Sequence, residues 1–174
     1  MDKLQQLKAL GIGEIAHLNG SLLDHLKGTQ TLLQSWGANQ TLCEAGLFHA
    51  CYGTDGFDEA ILQLEQRHKV VQVIGEPAES LLYLYGACDR GFLYPQFDGS
   101  DKCPQYRDRF TKKQFTLSEY QCRSLCELTA ANELELCLAS TDFKARYGKP
   151  LQKLFKAMQA FLSTASLKTI GELL

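Results

Sequence analysis

Apolar side chains recur every three or four positions along most of this chain, and that spacing is typical of amphipathic helices. Ser21, Asn39 and Asp58 stand where helix caps are expected, and Pro77 suits the first turn of a further helix. Together, spacing and caps predict helices over residues 2–10, 21–36, 39–53, 58–68, 78–89, 116–139, 142–147 and 151–164. No stretch of strict alternation indicates a sheet, so the predicted fold is all-α, with one domain spanning 1–174.

Two segments depart from the helical spacing. Residues 70–74 form the only β-branched run, Val-Val-Gln-Val-Ile, and favour a short strand that has no obvious partner. Residues 91–115 are rich in aromatic, Gly, Asp and Lys residues and lack a clear period. A loop of that length within a compact domain is usually a functional lid or a mobile segment, and we expect one here.

The charge balance narrows the function classes. The 174 residues carry 18 basic and 20 acidic side chains, a formal net charge of −2, so nucleic acid and anionic membranes are not expected partners. The N-terminus is polar, and no stretch approaches the roughly 18 apolar residues of a membrane-spanning helix, so we expect a cytoplasmic protein. Seven cysteines, an odd number in such a chain, are expected to be reduced and mostly buried.

Three polar residues fall on helix faces that should be buried. His25 follows Leu22 by three positions, His49 follows Gly46 by three, and Asp89 follows Tyr85 by four. Burying such groups is costly unless something satisfies them. A divalent metal would do so, because two His and one carboxylate form a ligand set used by iron and zinc. Hydrogen bonds among the three side chains are the alternative that the sequence leaves open.

Two other histidines complete the set. His17 lies in the connection before the second predicted helix, where it could join the cluster as a further ligand. His68 stands among charged neighbours and is expected to be solvated.

The succession "His25 … Phe48-His49 … Asp89-Arg90" resembles the HD-domain superfamily of metal-dependent phosphohydrolases. The segments around His25-x-x-Gly28-Thr29 and Phe48-His49-x-x-Tyr52-Gly53-Thr54 are similar, more narrowly, to a family of uncharacterised HD-like bacterial proteins. The similarity is strongest over residues 15–140. It implies an HD-like helical bundle, with His25, His49 and Asp89 at metal-ligand positions.

One position departs from that family pattern. The residue after His49 is Ala50, where HD proteins carry the Asp that bridges two metals or anchors one. A dinuclear centre that clamps the attacking and leaving oxygens therefore lacks a ligand. What the resemblance then implies is one divalent ion (Fe, Zn or Mn) on His25, His49 and Asp89, joined by His17, or a pocket that has lost its metal.

Five further residues surround the expected pocket. Tyr52 and Thr54 offer hydroxyl groups after the His49 helix, and Arg90 can bind an anion or pair with Asp89. Asn132 and Glu133 lie in the middle of a long helix, and Glu133 is the candidate general acid or base. No Gly-Lys-Ser/Thr follows the glycines near Tyr52, so there is no nucleotide-binding loop of the Walker type.

These residues support three functional hypotheses. The leading one is a metal-dependent hydrolase that acts on a small phosphorylated or anionic metabolite. A non-catalytic module that binds a metabolite or partner is the alternative, and an iron-dependent oxygenase of HD fold is the second alternative. Apolar residues near the C-terminus form either a core stripe or a homodimer face, with the core favoured: Leu151, Leu154, Phe155, Met158, Phe161 and Leu162.

Overall fold

The computed structural model describes residues 3–11, 16–17, 20–56 and 60–174. Within them the chain forms these α-helices: α1 (Lys3–Ala9), α2 (Leu22–Ser35), α3 (Gln40–Phe48), α4 (Arg67–Gly86), α5 (Arg90–Leu93), α6 (Glu119–Ala139), α7 (Thr141–Ala157) and α8 (Thr164–Leu173). Short 3₁₀ turns cover Leu64–Gln66, Tyr94–Gln96 and Gln159–Phe161. Two small antiparallel hairpins pair β1 (Ala16–His17) with β2 (Gly20–Ser21) and β3 (Gln105–Arg107) with β4 (Gln114–Thr116). The all-α prediction is confirmed.

Helix α6 is the centre of the bundle. It contacts α2, α3, α4, α7 and α8, and its buried residues lie on most of its circumference. A helix that is buried on most of its circumference needs neighbours on several sides. The buried residues of the other helices, among them Leu26, Phe48, Leu82 and Phe155, join α6 in one apolar core.

Capping residues fix where several helices begin. The side chains of Ser21 and Asn39 accept hydrogen bonds from backbone N–H groups of the first turns of α2 and α3, as predicted. The capping box of α6 is formed by Ser118 and Gln121, two residues beyond the predicted start at Thr116. Helix α6 ends at Ala139, as predicted.

Residues 70–74 are helical, so the predicted strand is wrong. They lie in the first half of α4, which has a break at Gly75 (φ 80°, ψ 159°) and then resumes with Pro77 in its first turn. The positive φ suits glycine, and it allows two short helices to follow each other at an angle. Val70 and Ile74 are buried four residues apart, so the β-branched run forms a helical core stripe.

Other boundaries also differ from the predictions. Asp58, the predicted cap of a helix over 58–68, lies outside the described residues. Residues 60–63 are not helical, and helix begins only after them. The two predicted helices 142–147 and 151–164 are one helix, α7, as far as Ala157, because Pro150 is accommodated within it. The expected C-terminal tail is helix α8.

Residues 91–115 contain most of α5, a 3₁₀ turn and the hairpin of β3 and β4, in place of the predicted irregular loop. The hairpin of β3 and β4 is tied to the end of α4: the Tyr106 hydroxyl donates to the Leu84 carbonyl at 2.8 Å, and Arg109 Nε donates to the Gly86 carbonyl at 2.7 Å. Asp108 accepts the Tyr83 hydroxyl at 2.8 Å. These bonds satisfy the carbonyls at the helix end, which explains why a segment without periodicity is ordered.

The cysteines and the C-terminal apolar residues behave as core. All seven cysteines are free thiols, and all except the half-buried Cys103 are buried, which confirms the predicted role of small apolar residues. The C-terminal stripe is also core, with one member, Leu154, only partly buried. No helix in the described part of the chain has the length and apolar character needed to cross a membrane.

Candidate functional site

A cavity of about 400 Å³ opens between the helices that carry the two inward histidines. Its polar part is formed by His25, His49, Thr54, Asp55, Arg90, Asn132 and Glu133. Its apolar part is formed by Leu22, Ala50, Leu136, Phe143, Tyr147, Pro150 and Leu151. This volume is sufficient for a small metabolite.

His25 and His49 face each other at the polar end. Their Nε2 atoms are 3.2 Å apart, and both residues are buried, with 6% and 2% of their surface exposed. The rings meet edge to face, with centroids 5.0 Å apart. The prediction that both histidines are buried is confirmed, but α3 ends at Phe48, before the predicted Gly53, so His49 caps that helix and is not within it.

The other ring nitrogen of each histidine is held by an acceptor. His49 Nδ1 donates to the Gly46 carbonyl at 2.7 Å, and His25 Nδ1 is bonded to the Glu135 carboxylate. These bonds orient both rings so that the two Nε2 atoms face each other at hydrogen-bond distance. An arrangement of this kind suits a shared proton or a bound cation.

Asn132 and Glu133 extend this polar end. Asn132 Oδ1 lies 3.0 Å from His25 Nε2, and its Nδ2 donates to Glu133 Oε1 at 3.2 Å. The second bond orients the amide, so its oxygen faces the histidines. Burial raises the pKa of Glu133 above the ordinary carboxyl value, although the charge of Arg90 and the bond from Asn132 act in the opposite direction.

Arg90 forms a neighbouring wall of the cavity, beside Glu133. Its Nη2 donates to the Tyr85 hydroxyl at 2.9 Å, and its Nη1 lies 3.5 Å from Glu133 Oε1. Its Nε is buried and has no hydrogen-bond partner within the described residues. The backbone N–H of Arg90 donates to the Asp55 carboxylate at 2.9 Å, which fixes the loop bearing Thr54 against this wall.

Asp89 does not occupy the position that the sequence predicts. Helix α4 ends at Gly86, so the helical spacing does not reach Asp89, which caps α5 instead. Its Oδ1 accepts the Phe92 N–H at 3.0 Å, and its Oδ2 accepts Arg107 Nε at 2.8 Å. The Arg107 bond holds the pKa of Asp89 below its usual value. Asp89 is not among the residues that line the cavity.

Tyr52 also faces away from the cavity. Its hydroxyl donates to Glu79 Oε1 at 2.9 Å, and Glu79 also accepts both Nε and Nη2 of Arg67, at 2.6 and 2.8 Å. Tyr52 therefore belongs to a partly buried network with Glu79 and Arg67, none of which lines the cavity. Thr54, two residues later, does line the cavity. The side chain of His17 lies outside the described residues, whereas His68 is exposed, as predicted.

Glu135 is the residue that the sequence prediction missed. Its partner His25 is 110 positions earlier, so no local pattern connects them. One signal was available, namely the glycine in His25-x-x-Gly28. A Cβ at position 28 would lie 2.6 Å from Cγ of Glu135, so glycine makes room for this carboxylate beside α2.

The protein is therefore an all-α bundle with a cavity of small-molecule size. Two histidine side chains face each other among the polar residues of that cavity. Residues 6–90, just under half of the chain, match the family model described as a domain of unknown function, DUF6817. No curated protein and no solved structure matches the chain. In the described part of the chain, no group of three or more His, Cys, Asp or Glu side chains is arranged to hold a metal ion.

Proposed function

We propose that this pocket is the active site of a hydrolase that uses one divalent metal and acts on a small phosphorylated or anionic metabolite. The observation that carries the proposal is the pair of Nε2 atoms 3.2 Å apart, each with its other ring nitrogen bonded to an acceptor. The resemblance of the histidine segments to HD-domain proteins supports the same reaction class.

The donor atoms fit a single metal ion. Two nitrogens bound at about 2.0–2.1 Å to one ion, with ligand angles between octahedral and tetrahedral, lie roughly 2.8–3.4 Å apart. The His25–His49 separation falls in that range, and Asn132 Oδ1 is a third donor beside them. Glu135 and the Gly46 carbonyl are the outer partners that metal-bound histidines usually have. His25, His49 and Asn132 would therefore hold the ion, without Asp89.

A divalent ion at this position supplies Lewis-acid chemistry and lowers the pKa of bound water. The protein's own residues do the rest. Arg90 orients the anionic group of the substrate through its guanidinium. Glu133 Oε1 is occupied by Asn132 and lies near Arg90, so Oε2 is the oxygen available for proton transfer. Glu133 takes a proton from the attacking water as the new P–O bond forms, and returns it to the oxygen that leaves.

Metal content of the protein, purified without chelator or nickel resin, tests this proposal. We expect about one equivalent of iron, zinc or manganese per chain in the native protein, or after metal is added back and the excess removed. His25→Ala and His49→Ala should each lose it. His68→Ala is the matched control, because His68 is exposed and outside the cavity. Equal metal in His49→Ala and the native protein would refute the ligand assignment.

A non-catalytic binding module is the second candidate. Two observations favour it: Ala50 lines the cavity where HD proteins carry an aspartate, and the Asp89 carboxylate is bonded to Arg107. The pocket thus has fewer acidic ligands than the family pattern requires. Hydrolysis of p-nitrophenyl phosphate by the metal-loaded protein separates the two candidates. Turnover that is lost in Glu133→Gln supports the hydrolase, whereas ligand binding without turnover supports the module.

A further inference from the structure

The mouth of the cavity has an aromatic wall that the proposed chemistry does not use. Phe143 and Tyr147 are one turn apart on α7, with ring centroids 4.6 Å apart, and both line the cavity. Tyr147 is 38% exposed, and Phe143 is only partly buried. Pro150 and Leu151 continue the same wall. An apolar group placed here would cover aromatic surface that now faces solvent.

Helix α7 is cationic, although the chain as a whole has a small net negative charge. Helix α7 has one acidic residue, Asp142, and these five basic ones: Lys144, Arg146, Lys149, Lys153 and Lys156. It therefore carries a net charge of +4 (five minus one), although the whole chain is at −2. All five basic residues are exposed. This local field attracts anions toward the helix that forms the aromatic wall.

Arg90 provides a binding group for an anion inside the cavity. Its Nε–H is buried without a hydrogen-bond partner in the described part of the chain, and leaving a buried charged donor unpaired is costly. Its Nη2 is bonded to Tyr85 and its Nη1 is 3.5 Å from Glu133 Oε1, so the guanidinium is held in place. Arg90 lines the cavity, so its guanidinium can bind an oxygen of a phosphate or carboxylate group there.

From these three observations we propose that the ligand of the cavity is an amphipathic anion. Its apolar ring packs against Phe143 and Tyr147, and its phosphate or carboxylate group is bound by Arg90. The inference rests on the proposed function, in that it names the substrate class of the same site. It makes Tyr147 a specificity residue, since the ring contact does not involve the reacting group.

Two unreactive probes test the inference by calorimetry: phenylphosphonate, which has a ring, and methylphosphonate, which does not. The native protein, loaded with zinc, should bind phenylphosphonate about tenfold or more tightly than methylphosphonate, because the ring buries apolar surface. Tyr147→Ala should remove most of that preference and leave methylphosphonate binding unchanged. Arg90→Gln should weaken both probes. Benzyl alcohol, which has the ring without the charge, should bind more weakly than phenylphosphonate.

Tyr120→Ala is the matched control, because Tyr120 is an exposed tyrosine (52%) that does not line this cavity. It should bind both probes like the native protein. Equal affinity for the two phosphonates, an unchanged preference in Tyr147→Ala, equally tight benzyl alcohol, or no binding of either phosphonate would overturn the inference. The probes are not hydrolysed, and metal content is measured separately. Failure of the substrate class is therefore distinct from failure of the metal site or of the hydrolytic activity.

Discussion

Gly28 on α2 lies directly against Glu135 on α6, so that a Cβ at position 28 would be 2.6 Å from Cγ and 2.9 Å from Oε1 of that glutamate. The same carboxylate is bonded to Nδ1 of His25, three residues before the glycine. The spacing His-x-x-Gly therefore has a physical basis: the glycine allows α6 to bring a carboxylate to the buried face of the histidine.

Gly28→Ala should weaken metal binding although the new residue favours helix. The added methyl group displaces Glu135, and loss of such an outer partner typically costs about 10–100-fold in metal affinity. Competition with a chelator measures the change. Gly171→Ala on α8 is the matched control: nothing lies within 4 Å of its Cβ position, so it should leave metal affinity unchanged. The free energy of unfolding of Gly171→Ala should rise by about 1 kcal/mol, because alanine favours helix more than glycine does. Native-like metal affinity in Gly28→Ala would contradict the proposed role of Glu135.

Glu135→Gln should have the same effect as Gly28→Ala, and the double variant should be little worse than either. The glutamine keeps the shape but removes the charge that fixes the proton on Nδ1 of His25. Because both substitutions act on one contact, their effects on metal affinity should not add. A double-variant cycle measures this coupling. Full additivity would show that Gly28 acts independently of Glu135.

Asp89→Asn should leave metal content unchanged and alter the acid stability. Bonding to Arg107 lowers the pKa of Asp89 in the folded state. The ionised carboxylate therefore stabilises the fold at a pH above the pKa that Asp has in the unfolded chain, about 4. This contribution is lost as the pH falls through the pKa of the folded state. Asparagine can still cap α5. At neutral pH we expect a loss of up to about 1 kcal/mol, since the pair is partly exposed.

Urea unfolding of Asp89→Asn and the native protein, compared at pH 7 and in acid, checks this expectation. The difference in the free energy of unfolding between the two proteins should shrink in acid. If the variant instead loses its bound metal, Asp89 is a metal ligand.

Tyr52→Phe should reduce stability without affecting the pocket. The substitution removes a buried hydrogen bond to Glu79, at a cost of about 1 kcal/mol or somewhat more because the acceptor is charged. Chemical denaturation measures the loss, and calorimetry with phenylphosphonate measures the pocket. Thr54→Val is the comparison variant for phenylphosphonate binding, because Thr54 lines the cavity and Tyr52 does not. A weaker affinity for phenylphosphonate in Tyr52→Phe would show that its hydroxyl reaches the ligand after all.

Local sequence signals located most helices because their causes are local. Ser21 and Asn39 each accept a hydrogen bond from the N–H group three residues later, and apolar spacing places Leu26 and Leu82 in the core. The same spacing placed His25 and His49 on buried faces. Residues 70–74 are the exception, because β-branched side chains favour strands only weakly and the packing of Val70 and Ile74 in the bundle outweighs that preference.

The sequence by itself determined the all-α class, the caps of several helices and the inward direction of two histidines, because each depends on neighbours a few positions away. Only the tertiary structure decided which groups meet those histidines. Glu135 and Asn132 reach His25 across more than 100 positions, and Asp89 is turned toward Arg107 because α4 ends three residues before it. Contacts of that kind depend on where helices stop and how they pack, and no short-range pattern encodes either.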